Sequence, residues 1–236
     1  MAEKITVDRY EFFENIAHGG HTLVAGKTRS GKSVILNGLI VTAIMDGAQL
    51  ILLDPKGGVE FSKYKDCVET IAYAGNVDEF KPALERAVAE MMRRNAVMVQ
   101  KRITKSEERP LYVIIDEYAT LMTDMKKELQ PLLLKLARMG AASNVRLVLA
   151  TQTPYLSIVT GDIKNNMQSI VALKVRNKSF SRLIIDEPGA ENLHVGEALV
   201  LMDSDDAPHK EYVPMYPADL LEKIALLRTP PSKRWK

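Results

Sequence analysis

Residues 26–33, with the sequence GKTRSGKS, constrain this chain of 236 residues more than any other feature. They match the pattern G-x-x-x-x-G-K-[ST] and lie between an apolar run at 21–25 and an apolar stretch at 33–45. A strand, a glycine-rich turn and a buried helix in that order place backbone N–H groups around phosphate oxygens. The N-terminal end of the helix attracts the same anion. The segment therefore predicts a binding loop for ATP and Mg²⁺.

Within this loop, two side chains have predicted contacts of their own. Lys32 is expected to reach the β- and γ-phosphates, and Ser33 to supply a hydroxyl ligand to Mg²⁺. The residues predicted to bind the nucleotide are Gly26, Lys27, Thr28, Arg29, Ser30, Gly31, Lys32, Ser33 and Val34.

Polar residues follow two later apolar runs, and they predict hydrolysis rather than nucleotide storage. Asp116 and Glu117 come directly after the run at 111–115, which is the form of a Walker B element. Asp116 is predicted to bind Mg²⁺, and Glu117 to orient or deprotonate the attacking water. Gln152 directly follows the run at 146–151 and would face the ligand crevice of an open α/β sheet. It is predicted to sense the γ-phosphate; the alternative is a hydrogen bond to backbone.

The hydrophobic pattern predicts an α/β fold with a mostly parallel central sheet, helices on both faces and a C-terminal hairpin. Strands are predicted at 21–25, 50–53, 111–115, 146–151 and 170–175, with the hairpin at 198–202 and 210–214. Helices are predicted at 33–45, 77–103 and 124–139, with a last one opening at Pro217. The 77–103 helix carries apolar residues near helical spacing at Phe80, Leu84, Val88, Met91 and Val99.

Composition excludes several classes of protein. Apolar residues make up 46% of the chain, enough for a substantial core, and the net charge is only +2. Cys67 is the single cysteine, so neither an internal disulfide nor a cysteine-ligated zinc is expected. The chain starts without a signal peptide, and its longest apolar stretch, at 34–45, is far shorter than the roughly 20 residues that span a bilayer. A cytoplasmic protein without an integral membrane segment is predicted.

One stretch of the chain is locally basic. Between residues 162 and 186 no acidic residue interrupts Lys164, Lys174, Arg176, Lys178 and Arg182. Such a patch suits sequence-independent contacts to DNA phosphates, although solvated loops are the alternative.

With these parts in register, the chain resembles the motor domain of the FtsK/SpoIIIE DNA translocases, within the wider HerA–FtsK group. The resemblance runs from about residue 20 to 203. The matching words are HTLVAGKTRSGKSV at 21–34, LDPK at 53–56, VIIDE at 113–117, LVLATQTP at 147–154, IVTGDIKNN at 158–166 and SRLIIDEPGAE at 181–191.

This resemblance implies a RecA-like P-loop NTPase that assembles as a homo-oligomer, a ring hexamer around double-stranded DNA, with ATP between neighbouring subunits. Lys164, Lys178 and Arg182 match basic positions that face DNA in the family. Arg29 is larger than the small residue usual in the family's loop, and it could meet ATP, a neighbouring subunit or solvent.

The chain also departs from the family pattern in two places. Thr153 stands where relatives carry an arginine that contacts the DNA backbone. Ala141 falls where the family has the arginine that reaches the neighbour's ATP. Arg138, nearly one helical turn earlier, is the predicted replacement for that finger, with Arg146 and Arg182 as other candidates.

Larger family members carry a membrane segment and a winged-helix domain, and this sequence is expected to contain neither. An excised motor is expected, or a minimal one serving a plasmid, conjugative element, phage or satellite. The predicted organisation is a lead-in at 1–20, a motor domain at 21–226 and a basic flexible tail at 227–236.

Three functions remain open. The first is an ATP-driven translocase of double-stranded DNA. The second is a coupling or packaging ATPase that delivers nucleoprotein to a channel or capsid, with a relaxase or packaging partner. The third is an ATP-dependent DNA-binding adaptor for replication or partition that does not translocate.

Overall fold

A computed structural model of the protein describes residues 8–65, 67, 70–152, 155 and 158–220. The strands in this part are β1 (Thr22–Ala25), β2 (Gln49–Leu53), β3 (Thr70–Ala74), β4 (Leu111–Ile115), β5 (Val145–Thr151), β6 (Ser169–Ala172), β7 (Glu197–Met202) and β8 (His209–Tyr212). The helices are α1 (Glu11–Gly19), α2 (Lys32–Met45), α3 (Val77–Lys101), α4 (Tyr118–Asp124), α5 (Lys126–Met139), α6 (Gly161–Lys164) and α7 (Lys178–Ile185).

The strands form one sheet in the order β3-β2-β4-β5-β1-β6-β7-β8. The first six strands in this order pair in parallel, while β7 is antiparallel to β6 and β8 is antiparallel to β7. Every residue of β1, β2, β4 and β6 is buried, which explains why these strands appear as continuous apolar runs. The predicted α/β fold and its C-terminal hairpin are confirmed.

Two hydrophobic layers cover the two faces of the sheet. The helices α1 and α2 pack on one face, and α3, α4, α5, α6 and α7 pack on the other. Successive side chains of β4 point to opposite faces of the sheet: Val113 packs in the α3–α7 layer, whereas Tyr112 and Ile114 pack in the α1–α2 layer. Because the parallel strands all run the same way, their C-terminal ends meet at a single edge of the sheet.

Some elements differ from the sequence prediction. Strand β3 was not predicted, because its residues TIAYA form no long apolar run, and it pairs only with β2 at the sheet's edge. Along α3, Phe80, Leu84, Val88 and Met91 are buried as predicted, but Val99 is 78% exposed. The buried stripe continues instead through Met98, which lies on the core side of the helix at that point.

The segment expected as a lead-in contributes helix α1, which packs against α2. The ring of Phe13 lies over Gly38, where an added Cβ would come within 2.2 Å of two ring carbons. Phe13 also stacks on Tyr216, with ring centroids 5.7 Å apart, so the ring has little room to move away. Glycine at position 38 is therefore required by the close approach of α1.

We expect Gly38→Ala to destabilise the protein by about 1–3 kcal/mol, because the new methyl group would overpack against Phe13. Helix propensity alone predicts the opposite sign, a gain of about 1 kcal/mol. Urea denaturation of both variants measures the effect. In a Phe13→Ala background the cost of Gly38→Ala should largely disappear, and an equal cost in both backgrounds would contradict this explanation.

Three parts of the sequence prediction lie wholly or partly outside the described residues. The helix opening at Pro217 is seen only at residues 218–220, and the tail at 227–236 is not described. Thr153 and Pro154 are likewise outside the described residues. Among the helices that are described, none is both long enough and apolar enough to cross a membrane.

Candidate functional site

A cleft of about 480 Å³ opens at the C-terminal edge of the parallel strands. The loop 26–33 enters it from β1, Asp116 from the end of β4, and Gln152 from the end of β5. Since β5 lies between β4 and β1 in the sheet, Gln152 stands between the glycine-rich loop and the acidic pair. The tertiary structure thus brings the predicted nucleotide-binding and catalytic segments together in one place.

The glycine-rich loop is held in a tight turn. The Gly26 amide donates to the Thr151 carbonyl at 3.2 Å, and the Lys27 amide donates to the Lys174 carbonyl at 3.0 Å. Gly31 adopts φ 107°, a conformation that suits glycine, and it directly precedes α2. Arg29 adopts φ 61° without being glycine, and its side chain is exposed at the cleft.

The start of α2 is suited to an anion. Within the described part of the chain, the backbone N–H groups of Gly31, Lys32 and Ser33 donate to no protein acceptor. These groups face outward at the helix N-terminus, whose dipole favours negative charge. The loop therefore fits the phosphates of a nucleotide, and the hard oxygen donors of Ser33 and Asp116 are of the kind that Mg²⁺ prefers.

Two buried carboxylates face two ammonium groups at the floor of the cleft. Asp116 and Glu117 are 3% and 5% exposed. The Nζ atom of Lys32 lies 3.8 Å from Asp116 Oδ1 and 3.7 Å from Glu117 Oε2. The Nζ atom of Lys56 lies 3.4 Å from Asp116 Oδ2 and 3.2 Å from Glu117 Oε2. Each of the two buried carboxylates therefore has two lysine ammonium groups within 3.8 Å.

Glu117 is fixed by the end of strand β5. Its Oε1 atom accepts hydrogen bonds from Thr151 Oγ1 at 3.1 Å and from the Gln152 amide at 2.9 Å. The side chain of Gln152 in turn accepts a hydrogen bond from Thr28 Oγ1 at 2.6 Å. Gln152 thus links the glycine-rich loop to Glu117 through its side chain and its backbone.

The candidate arginine fingers lie away from this cleft or are already engaged. Arg138 is near the end of α5, which leads into the start of β5, and it pairs with Asp162 at 3.3 Å. It is therefore at the opposite edge of the sheet from the loop 26–33. Arg146 donates to the Ala17 carbonyl and to the Tyr112 hydroxyl, both at 2.5 Å, so its guanidinium holds α1 against the sheet.

The predicted DNA contacts lie on α6 and α7. Lys178 and Arg182 are exposed and one helical turn apart on α7. Lys164 is less accessible, since its Nζ atom donates to Asp186 Oδ1 at 2.7 Å and to the Leu183 carbonyl at 3.3 Å. The structure therefore groups the three residues but leaves only two of them exposed.

Sequence reasoning did not assign a role to Lys56, Asp54 or Thr151. Lys56 belongs to the word LDPK at 53–56, which supported the family resemblance, but its spacing from Asp116 gave no sign that the two meet. Only the pairing of β2 with β4 brings the loop after β2 beside the acidic pair.

The fold and the cleft together define a RecA-like P-loop ATPase. The FtsK/SpoIIIE family model matches residues 1–110. The DNA translocase FtsK of Treponema pallidum (strain Nichols) is 36% identical over 217 residues, which is 82% of this chain and 27% of that protein. The chain belongs to the FtsK/SpoIIIE family, and it spans about a quarter of the length of such relatives.

Solved structures agree with this assignment. The pCW3 conjugation coupling protein TcpA, in its monomer form with ATPγS, matches with a TM-score of 0.80 and 25% identity, over 91% of this chain and 66% of that one. The cytoplasmic domain of the Thermomonospora curvata Type VII secretion ATPase EccC shares the fold with a TM-score of 0.74 and 20% identity, over 89% of this chain and 28% of that one.

Proposed function

We propose that this domain hydrolyses ATP to move double-stranded DNA, as a ring of identical subunits. The loop 26–34 would hold the triphosphate, with Lys32 on the β- and γ-phosphates and Ser33 and Asp116 as the ligands of Mg²⁺. When bound, Mg²⁺ supplies positive charge that neutralises the phosphate oxygens. Glu117 would orient or deprotonate the attacking water.

The observation that carries this proposal is the double contact of Gln152. Its side chain accepts from Thr28 in the nucleotide loop, and its amide donates to Glu117 at 2.9 Å. A γ-phosphate arriving at the loop would compete for these hydrogen bonds and so shift Gln152 relative to Glu117. Gln152 also precedes α6 and α7 in the chain. A shift of Gln152 on nucleotide binding would therefore be passed to the helices that carry the basic side chains.

Helix α7 is the element that we assign to the DNA backbone. Lys178 and Arg182 present two positive charges on one exposed face, which suits contacts to DNA phosphates that do not depend on sequence. A motor that moves along any sequence needs contacts of this kind. Both substrates, duplex DNA and ATP, are available in the cytoplasm, where we propose that the domain acts.

We expect the double variant Lys178→Ala, Arg182→Ala to weaken duplex binding by at least about tenfold and to reduce the salt slope of the affinity by about two. ATP affinity should not change. Lys164→Ala should have a smaller effect, because its ammonium group must first leave Asp186. Fluorescence anisotropy with a labelled duplex at several salt concentrations measures these effects. Lys81→Ala on α3 is the control, and an unchanged salt slope would remove α7 from the DNA interface.

The position of Arg138 is an argument for an assembly of several subunits. Arg138 lies near the end of α5, at the edge of the sheet where β5 begins, while Gln152 follows the end of this seven-residue strand, so the two edges are roughly 20 Å apart. An arginine there is too far from its own nucleotide and would serve a neighbour's, after release from Asp162. We propose that Arg138 is this finger and that the assembly is a hexamer.

Displacement of a third strand from a DNA triplex tests the proposal. The wild-type domain should displace it only with ATP, and duplex DNA should stimulate ATP turnover. Native mass spectrometry with ATPγS and duplex together should show a hexamer-sized particle. Turnover that duplex DNA does not stimulate, together with an undisturbed triplex, would favour an adaptor that does not translocate.

A coupling ATPase is the second candidate, and the similarity to the conjugation coupling protein TcpA favours it. Such a protein would use the same site but would deliver a nucleoprotein to a secretion channel. Specific binding of a DNA-processing relaxase, with weak triplex displacement in its absence, would support this candidate over the free translocase.

A further inference from the structure

The ammonium group of Lys56 stands over both acidic side chains of the nucleotide site. It lies 3.2 Å from Glu117 Oε2 and 3.4 Å from Asp116 Oδ2. Lys32 approaches the same Oε2 atom of Glu117 at 3.7 Å. The two ammonium groups are therefore close neighbours, and a phosphate group held by Lys32 comes within reach of Lys56.

The loop that carries Lys56 is built around one buried carboxylate. Asp54 is fully buried at the end of β2, and it accepts backbone hydrogen bonds from Lys56 at 3.0 Å, Glu60 at 2.6 Å and Phe61 at 3.3 Å. Three backbone N–H groups that donate to one carboxyl side chain hold the loop in a single shape. The backbone of Lys56 is thus anchored, while its four-carbon side chain stays adjustable.

Two glycines complete the shape of this loop. Gly57 and Gly58 have φ angles of 77° and 78°, a region that residues with a Cβ rarely adopt. The Tyr73 hydroxyl on β3 donates to the Gly58 carbonyl at 2.7 Å, and a Cβ on Gly58 would lie 1.9 Å from that hydroxyl oxygen. The loop is therefore pinned to the edge strand on one side and reaches into the cleft on the other.

The positive charge of Lys56 is better explained by phosphate binding than by a contribution to the stability of the fold. Lysine is ordinarily a cation at neutral pH, and the Nζ atom of Lys56 lies within 3.4 Å of two carboxylates. The side chain remains 43% exposed, and ion pairs that face solvent to this extent add little to stability. The fixed backbone of this loop is therefore better explained by ligand binding than by the ion pair alone.

We propose that Lys56 is a second catalytic cation of the ATP site. Its ammonium group would turn from the two carboxylates to the γ-phosphoryl group when ATP binds, and there it would stabilise the negative charge that develops during hydrolysis. Leaving Glu117 Oε2 would also free that oxygen for the attacking water, while Thr151 and Gln152 keep Oε1 in place. The inference rests on the hydrolytic part of the proposed function and not on DNA translocation.

Three variants test this role in the full chain. Lys56→Ala should lower kcat by about 10²-fold, the effect of losing one donor to developing charge, and should raise KM by a smaller factor than it lowers kcat. Lys56→Arg should restore part of kcat, since it keeps the charge and the reach. Lys65→Ala, which removes an exposed lysine after the same loop, is the matched control and should behave as wild type.

A second readout does not depend on turnover. With EDTA present and no metal, Lys56→Ala should bind a fluorescent ATP analogue about tenfold more weakly than wild type, since one charged contact to phosphate is lost. Its affinity for the corresponding AMP analogue should stay unchanged, because that ligand carries no γ-phosphate. Circular dichroism and thermal midpoints should match those of Lys65→Ala.

The outcomes separate this inference from the proposed function. Lys56→Ala with kcat within about threefold of wild type and unchanged metal-free ATP affinity would reduce Lys56 to a surface ion pair. Loss of kcat that arginine does not restore, together with a lowered thermal midpoint, would overturn the inference in favour of a structural role. A wild type that hydrolyses ATP but leaves the triplex intact would refute translocation and leave Lys56 testable. If the wild type does not hydrolyse ATP, Lys56 is not a catalytic cation, and the metal-free binding comparison then tests only its contact with the γ-phosphate.

Discussion

Replacement of Glu117 by glutamine is expected to lower ATP turnover by about 10³-fold while the nucleotide stays bound, because the amide cannot take a proton from water. The substitution is nearly isosteric. The amide oxygen can still accept the hydrogen bonds that Thr151 and Gln152 donate to Oε1. The nucleotide loop and Lys32 are untouched, so binding should persist and the assembled ring should accumulate with ATP.

Rapid-quench measurement of a single turnover, with filter binding of labelled ATP, separates these two effects. The matched control is Glu128→Gln, which alters an exposed glutamate in the first turn of α5. Equal turnover in Glu117→Gln and wild type would end the catalytic assignment. Loss of ATP binding along with turnover would mean that Glu117 maintains the shape of the cleft and does not act on the attacking water.

Lys32→Ala is expected to abolish hydrolysis for a different reason, which is a loss of nucleotide affinity of at least about 10²-fold. The variant removes the β- and γ-phosphate partner. It also leaves Asp116 and Glu117 facing the incoming phosphates with only Lys56 to balance them. The floor of the cleft then repels the triphosphate.

Titration with a fluorescent ATP analogue measures this affinity directly. Lys135→Ala, on an exposed position of α5, is the control for removal of one positive charge. The contrast with Glu117→Gln is the sharper test, because one variant should lose ATP and the other should retain it. Undiminished ATP affinity in Lys32→Ala would contradict the assignment of this lysine to the phosphates.

The sequence was a good guide where structure is local. A glycine-rich loop between an apolar strand and an apolar helix depends on short-range turn chemistry, and residues 26–33 form the turn that this pattern predicts. Long apolar runs likewise marked β2, β4 and β5, since strands buried on both faces leave no polar alternation. The edge strand β3 was not predicted because it is only five residues long and mixes Thr70 and Tyr73 with its apolar residues, so its conformation depends on pairing with β2.

Contacts between side chains that are far apart along the chain could not be predicted from local sequence patterns. Lys164 was predicted to contact DNA, and the structure shows in addition that Asp186, at the end of α7, lies 2.7 Å from its ammonium group. Helix α1 was not predicted because its apolar face spans only about two turns, and its role depends on Phe13 meeting Gly38 on α2. Contacts of this kind follow from how helices dock on the sheet, which hydrophobic periodicity does not encode.

The sequence by itself determined that the chain holds a phosphate-binding loop, an acidic pair after a strand and an α/β fold, because each is written in consecutive residues. Only the tertiary structure decided which of these groups meet. The strand order β4-β5-β1 places Gln152 between Thr28 and Glu117. The pairing of β2 with β4 delivers Lys56 to the same carboxylates. The physical reason is that strand order and register are set by packing across the whole sheet, so the site is complete only once distant strands lie side by side.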